Sequence, residues 1–243
     1  MSKSTQPSRL LVLLAGCTIC VAAQPPPSVE PQWMDITVER QTNDGKQGTA
    51  WKAIDPALVL NQGDLIRFKF RSNFDGYLYV TNRGSGGKVV LLFPREETGQ
   101  ANRVRVAQDY LIPATQSHFR IAGPAGYDSV FWLVSPVALA NSAVLPETMP
   151  TPETLPKNAQ PSQPAKLRPR CDPTQMRSRG LCLDNDAGPR NVQDPAQAPG
   201  AIATTPDLKP RELTIIQSKD KTRLSTGGSL GGPVVYEFRL AHK

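Results

Sequence analysis

Histidine is nearly missing from this chain. His118 and His242 are the only two in 243 residues. A histidine base is the usual partner of a catalytic nucleophile, so the shortage argues against that chemistry. His118 lies in Ser117-His118-Phe119-Arg120, on the face opposite Phe119 of an expected strand, and reads as solvent-facing. His242 is the penultimate residue and is expected to fray. Neither stands at metal-ligand spacing from a cysteine, and no metal or other cofactor is expected. No Gly-x-Ser-x-Gly elbow occurs, and no catalytic residue is assigned. Asp184-Asn185-Asp186 lacks the full ligand run of a calcium loop. Gly84-Ser85-Gly86-Gly87-Lys88 has neither the spacing nor the following helix of a phosphate loop, and reads as a hairpin turn. Glu96-Glu97 reads as a loop cap after Phe93-Pro94.

Aromatics are also scarce, and their placement divides the chain. Of 15, eleven fall between Asn61 and Pro136, and none between Pro136 and Pro210, where 14 of the 24 prolines lie. Aromatic side chains dominate core burial, whereas proline and small polar residues work against it. The packed domain is therefore expected at 32–136 and a proline-rich, extended linker at 137–210.

Charge is missing from residues 10–23, LLVLLAGCTICVAA, which follow a basic start containing Lys3 and Arg9. This is the pattern of a secretory signal, too short to span a bilayer as a helix. Residues 1–23 are expected to be that signal and 24–31, QPPPSVEP, a spacer. Two processing sites compete. Leu14-Ala15-Gly16-Cys17 has the pattern of a lipobox, which would place a lipid on Cys17 and anchor the chain without spanning the membrane. Val21-Ala22-Ala23 before Gln24 fits ordinary signal cleavage, and the apolar residues after Cys17, with an extra Cys20, speak for it. The lipobox is the preferred reading. Cys171 and Cys182, with ten residues between them, are then expected to form a disulfide in an oxidising compartment.

What remains is strand pattern. Leu65-Ile66-Arg67-Phe68-Lys69-Phe70-Arg71 alternates strictly, the mark of a half-buried antiparallel strand. Residues 77–81 alternate as well. Residues 88–93 form a continuous apolar run, expected to be a central strand. Further candidates are 104–107, 117–121 and 129–135, with Gly- and Asn-rich turns between them. Beyond the linker, 213–216 and 234–240 are strand candidates, with Val234, Tyr236, Phe238 and Leu240 on one face. Gly227-Gly228 and Gly231-Gly232 read as a hairpin loop before the last of these. The fold class is all-β: an Ig-like antiparallel β-sandwich with a long proline-rich extension. Residues 211–243 are expected to carry a strand that docks back on the sandwich, since a patterned strand cannot stand alone in water. A small satellite unit around the disulfide is the alternative.

Over Gly63-Asp64 to Ser135-Pro136 the sequence resembles a bacterial domain of unknown function, found after signal peptides or after caspase-like peptidase and kinase domains. The resemblance rests on the Gly-Asp entry, Gly76-Tyr77-Leu78-Tyr79-Val80, Leu91-Leu92-Phe93-Pro94, Ile112-Pro113 before Phe119-Arg120-Ile121, and the Gly123-Pro124-Ala125-Gly126 turn. It implies a β-sandwich and an accessory role, and brings no catalytic residues. The proline-rich extension with its cysteine pair departs from the pattern.

The formal net charge is +7. Arg67, Lys69 and Arg71 share one strand face and Arg103 and Arg105 another. If adjacent, they form a basic patch suited to anionic envelope material, with Arg177 and Arg179 of the cysteine loop adding to it. Nucleic acid is not an expected partner, because exported proteins rarely meet it. The resulting expectation is a non-enzymatic lipoprotein on the periplasmic face of a membrane or at the cell surface. It would be a binding, scaffold or accessory subunit that meets an envelope protein or an anionic envelope component, and meets the membrane by its lipid alone. A soluble periplasmic or secreted form is the alternative location. A carbohydrate or wall-polymer module using Tyr77, Tyr79 or Trp51 is the alternative function, and an unrecognised hydrolase the third.

Overall fold

The computed structural model describes residues 31–43, 48–139, 168–192, 213–218, 220–228 and 231–243. The signal segment, Cys17, the spacer and much of the proline-rich stretch lie outside these residues.

Two antiparallel sheets face each other. The first is built on β1 (Trp33–Asn43) and β3 (Leu65–Ser72), with β2 (Thr49–Ala53), β7 (Asp109–Ile112), β8 (Phe119–Arg120), β11 (Thr214–Gln217) and β12 (Thr222–Ser225). Its order is β11-β12-β1-β3-β7, with β2 beside β1 and β8 beside β3. The second contains β4 (Gly76–Arg83), β5 (Val89–Phe93), β6 (Arg103–Val104), β9 (Gly126–Ser135), β10 (Gly188–Asn191) and β13 (Val234–His242). Its order is β10-β13-β9-β4-β5, with β6 beside β4.

The alternation in β3 performs as expected. Ile66, Phe68 and Phe70 are each at most 2% exposed and point into the space between the sheets. Trp132 of β9 fills the centre of that space. It meets Phe68 edge-on at 5.3 Å and lies stacked between Phe70 and Tyr236 at 6.1 Å from each. Val234, Tyr236, Phe238 and Leu240 of β13 enter the same core. The C-terminal strand thus docks on the sandwich, pairing with β9 over nine residues from Val234 to His242.

Four local expectations fail. Residues 88–93 do not make a central strand: β5 pairs with β4 alone and lies at the sheet edge, and its run is apolar because Leu92 and Phe93 pack in one cluster and Leu91 in the other. The glycines at 227–232 do not close a hairpin. They carry the chain from β12 in one sheet to β13 in the other. Residues 168–192 are not linker. A short helix, α1 (Pro173–Arg179), is capped by Asp172, whose carboxylate accepts from the Thr174 and Gln175 amides, and Gly180 ends it in the left-handed conformation. Finally, His242 is not frayed. It is fully buried, because β13 is paired on both sides to its end, with Gly126 on β9 and with Leu60. Its Nε2 lies 3.3 Å from Asp128 Oδ1.

Candidate functional site

The residues of the expected basic patch do not all lie on one sheet. Arg67, Lys69 and Arg71 lie on the outer face of the first sheet, where the strand register sets acids directly across from Arg67 and Arg71 and leaves Glu39 diagonal to Lys69. Across four strands runs the row Arg223, Asp35, Arg71, Asp109, alternating in sign at every step. Arg223 grips Asp35 with two bonds of 2.7 and 2.8 Å and covers the Trp33 ring at 4.0 Å. Arg71 pairs with Asp109 at 3.5 Å. In the neighbouring rows Glu39 takes Arg67 at 2.6 Å and Lys69 at 3.9 Å. Opposite charges set across a sheet attract, so each of these cations has an acid beside it, with Glu39 shared by Arg67 and Lys69 and Asp35 shared by Arg223 and Lys221. Arg103 is on β6 in the second sheet, and Arg105 on the connection from β6 to β7, its amide bonded to the Tyr110 hydroxyl. Arg103 stands apart from the β3 cations, because β3 and β6 belong to different sheets.

A second group of arginines lies on the outer face of the second sheet. Two adjacent rows carry it. One runs Arg83, Ser129, Arg239 across β4, β9 and β13. The next runs Thr81, Phe131, Glu237, Arg190 across β4, β9, β13 and β10. Together they wall a cleft of about 530 Å³. The Arg83 guanidinium lies 5.4 Å from the centre of the Phe131 ring. Arg239 is held through Nε on Glu237 at 3.1 Å, and the Ser129 hydroxyl donates to the same carboxylate oxygen at 2.6 Å. Arg190 donates through Nη2 to the side chain and the carbonyl of Asp186, both at 2.9 Å. Sequence reading missed this group because its members lie on β4, β10 and β13, far apart in the chain. The one available signal was alternation: Glu237 and Arg239 sit on the face of β13 opposite its core residues.

Beside the cleft, the same face turns apolar. Tyr79, Leu91, Phe131, Leu133, Val192 and Val235 form a second buried cluster, with Tyr77 and Leu139 packed against it. The Tyr79 hydroxyl accepts from the Leu139 amide at 2.9 Å. Tyr79 is 2% exposed, so it cannot serve as the exposed sugar platform expected of it. Tyr77 is half-buried, and Trp51 has Arg67 over its ring at 4.5 Å and His118 at 6.4 Å.

Cys171 and Cys182 are joined in a disulfide. The loop it closes is fastened to the sandwich. The Val59 amide donates to the Cys182 carbonyl at 2.9 Å, and the Asp184 amide to Ala57 at 2.8 Å. Asp184 is 3% exposed and accepts from the Tyr127 hydroxyl, the Asp186 amide and the Arg170 amide. Burial, then the bond to Asp184, pushes the Tyr127 hydroxyl well above its ordinary range. The Asp184-Asn185-Asp186 run therefore works as a structural joint. Among the described residues no three His, Cys, Asp or Glu side chains gather as a metal site. Arg179 and Leu181 of the loop line a second cleft of about 990 Å³, with Arg40, Lys52, Asp55 and Asp220. Gly84 to Lys88 closes the β4–β5 hairpin, the Gly84 amide donating to the Lys88 carbonyl at 2.9 Å. Glu97 holds Arg95 at 2.9 Å on the loop after β5.

No curated protein and no solved structure matches the chain. Residues 59–138, which carry β3 to β9 but neither β1 nor β13, match the model of a family described as a domain of unknown function (DUF4384), and to that family this part of the chain is similar.

Proposed function

We propose that this chain is an exported, non-enzymatic subunit of the bacterial cell envelope, tethered through a lipid on Cys17, whose sandwich binds or scaffolds another envelope component. The observation that carries this reading is the Cys171–Cys182 disulfide in a loop fastened to the sandwich. Such bonds persist in oxidising compartments and are rare in the cytosol. The charge-free run at 10–23 after a basic start supports export, and the lipobox at 14–17 supports the tether. The arginine cleft supports a binding role toward anionic envelope material.

The test is metabolic labelling of the full chain in a bacterial host with a fatty-acid probe, comparing wild type with Cys17→Ala. Label that disappears with the substitution supports the tethered form, and crosslinking at that membrane then seeks a stoichiometric partner. An unlabelled wild type whose mature form starts at Gln24 replaces it with a soluble periplasmic or secreted protein. Turnover of generic ester or peptide substrates, abolished by one point substitution, would overturn the non-enzymatic reading.

A further inference from the structure

We propose that β11, the open end of the first sheet, pairs with β11 of a second copy of this chain, joining two sandwiches across a two-fold axis at Ile216. This goes beyond the tethered-subunit reading and does not rest on it.

The first ground is how the open edges are guarded. An unpaired strand edge invites another strand, and proteins blunt it with shortness, charge, proline or a bulge. Among the described strands, β6 and β8 are two residues long. β2 carries Lys52, and β10 carries Pro189 and Arg190. β7 begins at Asp109 and is followed by Pro113. β5 meets β4 across a register shift and is followed by Pro94. β11 reads Thr-Ile-Ile-Gln, with no charge, no proline and an unbroken register with β12. Its Ile216 is 56% exposed.

The second ground is the direction of the main-chain groups. The Ser218 amide donates to the Lys221 carbonyl at 2.9 Å, which closes the β11–β12 hairpin in the register of the strands. Antiparallel pairs alternate, so Thr214 and Ile216 turn their main-chain groups toward β12, and Leu213, Ile215 and Gln217 turn theirs away. The Asn191 side chain takes both groups of Leu213, at 3.1 and 3.2 Å. Ile215 and Gln217 face outward with no strand beyond them. The side chain of Ile215 packs against the core, while Ile216 lies directly across from Arg223 on the outer face.

The third ground is self-complementarity. A second β11 laid antiparallel uses the outward groups of Ile215 and Gln217 in both copies only when the axis passes through Ile216. Ile215 of each copy then exchanges both main-chain bonds with Gln217 of the other. An axis at Ile215 would call on Leu213, whose groups are held. The axis at Ile216 sets the two Ile216 side chains opposite each other as a close, non-hydrogen-bonded pair, and covers apolar surface that a single copy leaves in water. A second copy suits this edge because the strand brings no charge against itself, and Arg223 beside it is already bound to Asp35. A strip of four residues is small, so the dimer is reversible and depends on concentration.

The test uses the full chain. Sedimentation velocity over a concentration series compares wild type with Ile216→Lys and with Val106→Lys, which places the same charge on another apolar residue, 55% exposed and off the edge. Ile216→Cys and Gln217→Cys are oxidised in the host cell beside wild type and separated on a non-reducing gel. Opposed Ile216 positions would lie about 4.5 Å apart at Cα, within disulfide reach, whereas Gln217 lies across from Ile215 and not from its own counterpart. The expected result is a wild-type dimer, weakened about tenfold or more by Ile216→Lys and less than about twofold by Val106→Lys, and a linked dimer that Ile216→Cys alone adds to the wild-type pattern. Thermal melting checks folding, and Ile216→Cys carries the test if Ile216→Lys melts early. A wild type that stays monomeric at its highest soluble concentration, equal weakening by Val106→Lys, or linking by Gln217→Cys as readily as by Ile216→Cys overturns the proposal. So does a link from Ile216→Cys to a different protein in place of the dimer, which would assign the edge to that partner.

Discussion

The two outer faces of the sandwich use the same residue types to opposite ends. On the first sheet, one row alternates Arg223, Asp35, Arg71 and Asp109 across four strands, and Glu39 pairs with both Arg67 and Lys69. On the second sheet, one half is an apolar cluster around Leu133 and the other half gathers three arginines around a cleft. The count of basic residues is therefore a poor guide to where a basic site lies. Cross-strand register decides whether a cation meets an acid or another cation, and register is a property of paired strands, not of any one of them.

The sharpest way to break the comparison is to remove the strand on which the second face depends. Deletion of residues 234–243 takes away the partner of β9 and β10 and four core side chains. The expected outcome is loss of cooperative thermal unfolding, and retention of a wild-type melting transition would show that β13 is not integral to the sandwich. Next in size are two outward-facing residues, one on a central strand of each sheet. Leu133 on β9 is completely buried, whereas Lys69 on β3 is exposed. Leu133→Ala is expected to cost about 2–5 kcal/mol in urea unfolding, and Lys69→Ala less than about 0.5 kcal/mol. Similar costs would erase the distinction between a covered and an open face.

Tyr127→Phe tests the joint between the disulfide loop and β9. Loss of its bond to Asp184 should cost about 1 kcal/mol at neutral pH. Because the folded Tyr127 hydroxyl titrates above its ordinary range, its contribution is complete below the unfolded value of about 10 and is lost as the pH rises beyond it. The variant should lose less stability than wild type between neutral and strongly alkaline pH. Parallel decline in both would separate Tyr127 from the effect. The smallest change expected is Glu39→Gln, which weakens the pairing of Arg67 and Lys69 by up to about 1 kcal/mol. A double-mutant cycle with Arg67→Gln measures it, and zero coupling would mean that this pairing adds no stability.

Much of this architecture was legible because strand alternation is local. Ile66, Phe68 and Phe70, and likewise Val234 to Leu240, declare their buried faces by spacing alone, and both sets enter the core. The resemblance over 63–136 and the cysteine pair were legible for the same reason: each is carried by residues close together in the chain. The failures all concern position within the assembly. An apolar run such as Val89–Phe93 reads the same at the centre of a sheet as at an edge lined by apolar neighbours on both faces. A glycine-rich turn reads the same whether it closes a hairpin or passes from one sheet to the other. His242 at the chain end could not announce that β13 would be paired to its last residues.

The sequence by itself determined the all-β class, the inward faces of the principal strands and the pairing of Cys171 with Cys182, since short-range pattern and cysteine number suffice for these. Only the tertiary structure decided that residues 168–192 belong to the sandwich, that the cations of β3 pair with acids on β1 and β7, and that Arg83, Arg190 and Arg239 line one cleft. Each of those outcomes depends on which strands lie side by side, and that is settled by burying one shared core between two sheets.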